Sequence, residues 1–511
     1  MILARQRNQT SLVHPARRLV WLAAGSMVAS VGLMITVGAL GPSVAVPSFP
    51  SASPWPPYFA VLHPADVLVA VLTWLAVGIG GLGLAAGLLA ARRGWRPSPR
   101  RLLIGCLLAV IALLLTPPLG STDMMDYAVY GRIAALGHSP YQMTPAQLER
   151  TGDPVGAVAP FPWRNVYSVY GPAGTLSERA ASALAGPSGA RTVFWLKMWN
   201  ALAYLAVALA LDRLFRSDPA ARTRAHLLWS VNPLMLWAVL AGGHIDGLAA
   251  AVGFLGLLCL RRLGAGRGLA AGLLIGAAIA VKAPFVLFLP GVAWAARRSP
   301  RTLAAASVGV IAVVVPAYLL AGRAAITAVV SRATAGPDLY QPWQLLTRAL
   351  AISSATKFTD TVALAATALL AVLLLWRLPS GPSQLPFARP ALALSLAWLV
   401  CTPQQRPWYD AMIFPLLALM PATRLDWIVV VRALAAAMAE IPGVRFYTGL
   451  RPQWVSELAD IISRGLAPAA LVLAAAALVW LCITGRWTPG GQPGEAGSGP
   501  LPDLSASGAP G

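Results

Sequence analysis

The sequence predicts an all-α, polytopic membrane protein, and three observations carry that prediction. Hydrophobic residues fill 57% of the 511 positions and charged residues only 11%, whereas a soluble domain carries about 25% charged residues. Many of the Ala/Leu/Val-rich runs approach the roughly 20 residues that a helix needs to cross a bilayer. Those runs mostly lack the alternation of a membrane β-strand, which leaves the helix as the spanning element.

Fourteen segments fit the length rule: 19–40, 67–91, 102–119, 192–212, 225–241, 246–260, 268–281, 284–296, 302–322, 361–378, 390–402, 408–422, 426–440 and 465–485. Several are short, and the pairs 268–281/284–296 and 390–402/408–422 each read equally well as one broken helix or a hairpin. The expectation is therefore about 11–14 transmembrane helices. Arginines orient them. Arg17 and Arg18 precede the first span, and further arginines crowd the short connections at 92–101, 213–224, 261–267 and 297–301. Short, arginine-rich loops belong on the cytoplasmic side. The longer loops 41–66, 120–190, 323–360 and 441–464 then lie outside, and both termini lie inside.

The expected organisation is a cytoplasmic N-terminus over 1–18, one multi-span domain over 19–486 with a long outer loop at 120–190, and a disordered cytoplasmic tail over 487–511. The N-terminal apolar run is longer than a cleavable signal and reads as a retained anchor. The tail is rich in Gly, Pro and Ser without apolar periodicity. The net charge of +21 follows from arginines that set topology and meet anionic inner-leaflet lipids. It calls for no nucleic-acid partner, since basic residues interleaved with exposed aromatics on a soluble face are missing. Cys106, Cys259, Cys401 and Cys482 are isolated in apolar runs and read as core residues.

Chemistry-bearing residues interrupt this pattern at a few places, all on the expected outer side. After Thr116-Pro117-Pro118 ends a span, Ser121 or Thr122 can cap a helix over 123–137 that begins with Asp123. Asp126 follows at i+3, Tyr127 at i+4 and Tyr130 at i+7, so all can share one side of that helix. Met124, Ile133 and Ala134 give it an apolar side suited to the membrane interface. An ordinary amphipathic loop helix with a capping Asp has the same spacing.

Further along, Gly242-Gly243-His244-Ile245-Asp246 breaks the chain between two apolar spans. His244 and Asp246 there fit an acid/base role or a hydrogen-bonded turn. Lys282 interrupts an otherwise uncharged stretch just before Ala283-Pro284. A cation in that setting needs an anionic partner, either a lipid phosphate or one of the aspartates, unless it snorkels to the membrane surface. In Thr402–Asp410, Arg406 can grip a phosphate bidentately, and Trp408 and Tyr409 can pack on a ring or a prenyl chain. A polar turn with an aromatic anchor has the same composition. No Walker loop, GxSxG elbow, H-E-x-x-H or dinucleotide fingerprint is evident, which argues against nucleotide-sugar donors.

Taken in order, these blocks resemble the bacterial polyprenol-phosphate-mannose-dependent α-(1→6)-mannosyltransferases of the GT-C superfamily. The matching residues are Asp123, Tyr127, Gly131-Arg132, Gly137–Tyr141, Tyr170-Gly171-Pro172, Asn232-Pro233, Gly242–Asp246, Lys282-Ala283-Pro284 and Pro403–Tyr409. The family's Asn before Pro-Tyr is Ser139 here, and the first position of its Asn-Asp pair is Ile245. The resemblance implies a GT-C-type glycosyltransferase fold with a catalytic first outer loop.

It also implies that Asp123 is the general base. Asp126, Tyr127, Arg132, Tyr141, Tyr170, His244, Asp246, Lys282, Arg406, Trp408 and Tyr409 would then bind substrate, with Lys282 and Arg406 stabilising the leaving phosphate. The partners implied are a polyprenyl-phosphate sugar donor, a glycan or glycolipid acceptor of the cell envelope and the lipid bilayer, with inverting transfer at the outer face of the cell membrane. No cofactor is called for, and metal dependence stays open. Arabinofuranose or another hexose as the donor sugar is an alternative. A flippase for a lipid-linked sugar is another, but it predicts ionisable residues deep in the spans and an inverted repeat.

Overall fold

Proline opens, and glycine often closes, the apolar runs, and the helices obey that punctuation. The computed structural model describes residues 14–48, 54–161, 163–333, 338, 340–351, 357–443 and 450–488. The expected tail over 487–511 lies almost entirely outside the described residues, as does most of the expected N-terminus over 1–18. The described residues contain helices and no strand.

In chain order the helices are α1 (His14–Ala39), α2 (Asp66–Arg92), α3 (Pro99–Leu115), α4 (Asp123–Ala135), α5 (Pro145–Arg150), α6 (Pro172–Ala185) and α7 (Gly189–Leu214). They continue as α8 (Pro219–Ala225), α9 (Pro233–Met235), α10 (Asp246–Cys259), α11 (Ala265–Val281), α12 (Leu289–Ala296), α13 (Pro300–Ala333) and α14 (Pro342–Ala349). The last are α15 (Lys357–Arg377), α16 (Ala388–Cys401), α17 (Phe414–Leu419), α18 (Leu425–Ala439), α19 (Gln453–Ile461) and α20 (Ala467–Thr484). Proline sits in the first turn of α3, α5, α6 and α8, where its missing N–H would have had no helical partner.

All fourteen expected segments are helical, but length divides them. Among the described residues, six helices are long and apolar enough to cross a membrane alone: 17–39, 66–92, 189–214, 300–331, 359–377 and 453–484. A further pair, Pro219–Ala241 and Asp246–Cys259, passes only when joined and is bent by 118°. The others are shorter, and 408–422 is two short pieces, a 3₁₀ turn at Pro407–Met412 and α17.

One boundary differs in a way that matters for function. The segment 302–322 was expected to end where an outer loop over 323–360 begins. Instead α13 breaks at Gly322 (φ 79°, ψ 177°) and runs on to Ala333. The Ala-rich, apolar stretch 323–333 holds helix-favouring residues, and the two arginines within it do not stop the helix.

Packing follows membrane rules. Gly268, Gly272 and Gly276 form a stripe at four-residue intervals on α11 against α13. A Cβ on Gly272 would lie 2.0 Å from the Ala306 carbonyl oxygen, so the two backbones touch through the missing side chains. Two arginines that enter the core are paired with aspartates. Arg224 meets Asp426 and donates to the Met420 carbonyl at 2.8 Å, and buried Arg432 meets Asp410.

Candidate active site

The site begins where α3 ends. Lys197 on α7 donates to the carbonyls of Leu113 (2.6 Å) and Thr116 (2.7 Å), which the end of α3 leaves without intrahelical partners. The chain then threads inward: Leu119 donates to Ala241 and Gly120 to Ala45. Ser121 Oγ accepts from the Asp123 amide at 3.1 Å, and Asp123 opens α4. The interfacial placement expected for this helix is not what forms. Met124 through Gly131 and Ile133 are all buried, because α4 packs on α6 and α7. The helix is enclosed from Met124 to Gly131, and Asp123 at its start keeps a partly open carboxylate, 20% exposed.

The bend at 242–246 brings the second element. Gly243 takes φ +74°, a left-handed conformation that favours glycine, and its carbonyl accepts from Asn200 Nδ2 at 3.0 Å. This turn sets the His244 ring flat on Trp408, with centroids 3.4 Å apart and planes 9° from parallel. His244 Nδ1 then lies 3.4 Å from Asp123 Oδ2. Asp246 starts α10 and accepts from Lys282 Nζ at 2.7 Å. Lys282 also lies over the Tyr409 ring, 4.4 Å from its centroid. Of the two partners that the sequence left open for this lysine, the fold supplies the aspartate.

Arg406 is held from two sides, by Asp338 at 3.0 Å and Glu440 at 2.5 Å. Asp338 also accepts from the Gln405 amide at 2.7 Å. These elements enclose a cavity of about 480 Å³. Asp123, Asp126, Lys282 and Arg406 give it polar walls, and Tyr170, Trp398, Trp408 and Tyr409 give aromatic ones. Val286, Val329 and Val330 make an apolar side, the last two from the unforeseen extension of α13.

Electrostatics separate the two aspartates of α4. Burial alone would raise Asp123, but His244 and the charges of Arg406 and Lys282 outweigh it and bring the carboxyl down to about 2. Burial pulls the His244 imidazole below its ordinary value. The ring is therefore neutral at pH 7, while the two cations still favour the Asp123 carboxylate. Asp126 goes the opposite way: burial, then Asp123 and Glu178, push it well above the usual carboxylate range.

Not every expected site residue faces the cavity. Tyr127 lies behind it, edge-on to Tyr170 at 4.8 Å. The Tyr141 hydroxyl donates to the Tyr170 carbonyl at 3.0 Å and meets Thr175 Oγ1 at 2.9 Å, so it shapes the loop that carries Tyr170. Arg132 pairs with Asp153 at 2.8 Å, bracing the loop 136–171 away from the cavity lining. His244 and Asp246 contact Asp123 and Lys282 but do not themselves line the space.

Sequence reasoning passed over Glu178, Lys197, Asp338, Arg432 and Glu440. Lys197 and Arg432 carried a usable signal, since each is a charge within an expected span. Glu440 ends such a span. Asp338 and Glu178 lie in polar loops where nothing marked them.

Comparison with known proteins identifies the family. The model of a family described as "Alpha-(1->6)-mannopyranosyltransferase, N-terminal domain" matches residues 25–298. That range contains Asp123, His244, Asp246 and Lys282 but not the Arg406–Tyr409 turn. A "Probable alpha-(1->6)-mannopyranosyltransferase" of Mycolicibacterium smegmatis is 29% identical over 142 residues, 28% of this chain and 25% of that protein. An alpha-(1->6)-mannopyranosyltransferase of Mycobacterium tuberculosis is 27% identical over 139 residues, 27% of this chain and 24% of that protein. The aligned stretch thus spans about a quarter of these relatives' length. Among solved structures, ArnT from Cupriavidus metallidurans in the apo state aligns over 71% of this chain and 72% of that one, with 13% identity and a TM-score of 0.33, a likeness too slight to bear on the fold. With the family match covering more than half of its length, the chain belongs to the alpha-(1→6)-mannopyranosyltransferase family.

Proposed function

We propose that the protein transfers a mannosyl group from polyprenyl-phosphate mannose to a hydroxyl of an envelope glycan or glycolipid, at the outer face of the cell membrane, forming α-(1→6) linkages with inversion. One observation carries the reading: an ionised carboxylate, Asp123, borders a cavity that also holds two cations and an apolar wall. The cations suit a lipid phosphate and the valine side suits a prenyl chain.

The acceptor oxygen would attack the anomeric carbon as the bond from that carbon to phosphate oxygen breaks. Asp123 takes the hydroxyl proton, and polyprenyl phosphate departs as the second product. A carboxylate near pKa 2 is a weak base for a free alcohol. It serves here because the leaving group is already good and the attacking hydroxyl becomes acidic only as the new bond forms. Lys282 spends one of its three donors on Asp246 and keeps others for developing phosphate charge.

The test is transfer of radiolabelled mannose from polyprenyl-phosphate mannose in membranes carrying the protein or its Asp123→Asn or Asp123→Ala form. Both variants should express and lose transfer. Undiminished transfer by either variant would sink the assignment of Asp123 as base.

A further inference from the structure

Glu178 on α6 is wholly buried, and both of its carboxyl oxygens are sealed from solvent without a hydrogen-bond partner. Asp126 borders the cavity although only 4% of it is exposed, and its Oδ1 is likewise sealed and unpartnered. Two elements in contact, α4 and α6, thus carry two buried acids. The groups that act on them electrostatically are Asp123 and Tyr130 from α4, and Tyr141 and Tyr170 from the outer loop. None of these is a cation, and the lysine and arginine of the cavity are engaged with Asp246, Asp338 and Glu440. A buried carboxylate with neither a cation nor a donor is costlier than a protonated carboxyl, so such a group keeps its proton.

We propose that Asp126 and Glu178 are two protonated carboxyls on contacting helices, and that Asp126 offers its O–H into the cavity as a hydrogen-bond donor to an oxygen of the bound sugar. The proposal rests on the mannosyl-transfer reading only for the identity of that sugar. Burial holds Glu178 at about 8, in keeping with a pair that stays neutral at pH 7. The arrangement divides labour between two aspartates one helical turn apart. Asp123, beside cations, accepts a proton; Asp126, among acids and phenols, supplies one in a hydrogen bond. A second carboxylate in its place would repel the donor phosphate, whereas a neutral acid does not.

Infrared spectroscopy of the purified full-length protein, without substrate, tests the pair directly. A protonated-carboxyl C=O stretching band should be present at pH 7 and fade as the pH rises through about 8. Asp126→Asn and Glu178→Gln should each diminish it. In the transfer assay, Glu178→Gln should move the alkaline limb of the pH profile upward. Asp126→Asn, which retains an N–H donor, should keep about ten times the transfer of Asp126→Ala. Absence of the band at pH 7, or a band untouched by both substitutions, would overturn the pair. Equal loss in the Asn and Ala forms would overturn the donor role. The band with these properties in a protein that transfers no mannose would support the pair and overturn only the function proposed above.

Discussion

At the scale of single residues, environment matters more than residue type. Asp123 and Asp126 belong to one helix, yet cations border the first and acids the second, so their proton affinities diverge. Glu178 makes the consequence measurable. Its carboxyl is raised from 4.5 to about 8 by burial, so between those values the folded chain holds a proton that the unfolded chain has released. Stability is then fully present below the unfolded value and is lost as pH rises toward the folded one, on the order of 5 kcal/mol at most. Glu178→Gln should therefore melt at a higher temperature than the wild type at pH 8 and alike at about pH 4. Thermal unfolding in detergent at the two pH values checks this. Lys282 affords a second prediction: on the proposed mechanism, in which it is one of two cavity cations for the leaving phosphate, Lys282→Met should lower mannose transfer by about 10²–10³-fold. The radiolabel assay reads it, and a change of less than about threefold would remove Lys282 from the mechanism.

At the scale of elements, the site depends on helices that stop or break at set places. The glycine stripe lets α11 and α13 touch, and that contact serves two walls of the cavity at once. Lys282 caps the end of α11, and Val329 and Val330 belong to α13. Gly272→Leu would force the two backbones apart, since even a Cβ would sit 2.0 Å from the Ala306 carbonyl. Overpacking of this kind costs about 1–3 kcal/mol and sometimes more. The expected outcome is a lower melting temperature together with lost transfer, measured on the same preparation, and unchanged melting would refute the close contact. The bend at 242–246 works by a similar economy: one left-handed glycine turns the chain so that His244 reaches Asp123 while Asp246 reaches Lys282.

At the scale of the whole molecule, orientation decides whether the site can meet an outer acceptor. The arginine-rich short loops argue for a cytoplasmic face opposite Asp123. Reporter fusions after Gly152 and Gly266 test it: activity of an extracytoplasmic reporter is expected at the first and not at the second. The reverse pattern would remove the outer-face reading. Much of this architecture was legible beforehand, for physical reasons that act residue by residue. Partitioning into lipid depends on local composition, so the helical membrane class followed from 57% hydrophobic residues. Helix starts and breaks depend on nearby Pro, Gly and polar groups, so Asp123 at a helix start and Lys282 at a break could be read directly. Pairing could not. Lys282 meets Asp246 from 36 positions away, and Arg406 meets Glu440 from 34. Arg132 carried the same charge, yet the fold turned it toward Asp153. Nor did the apolar side of α4 reveal that the helix would be enclosed from Met124 to Gly131. The sequence by itself determined that acids and cations would stand at the ends of apolar helices, because solvation is local. Only the tertiary structure decided which of them meet and how deeply each is buried, and those two quantities set the charge that every group carries.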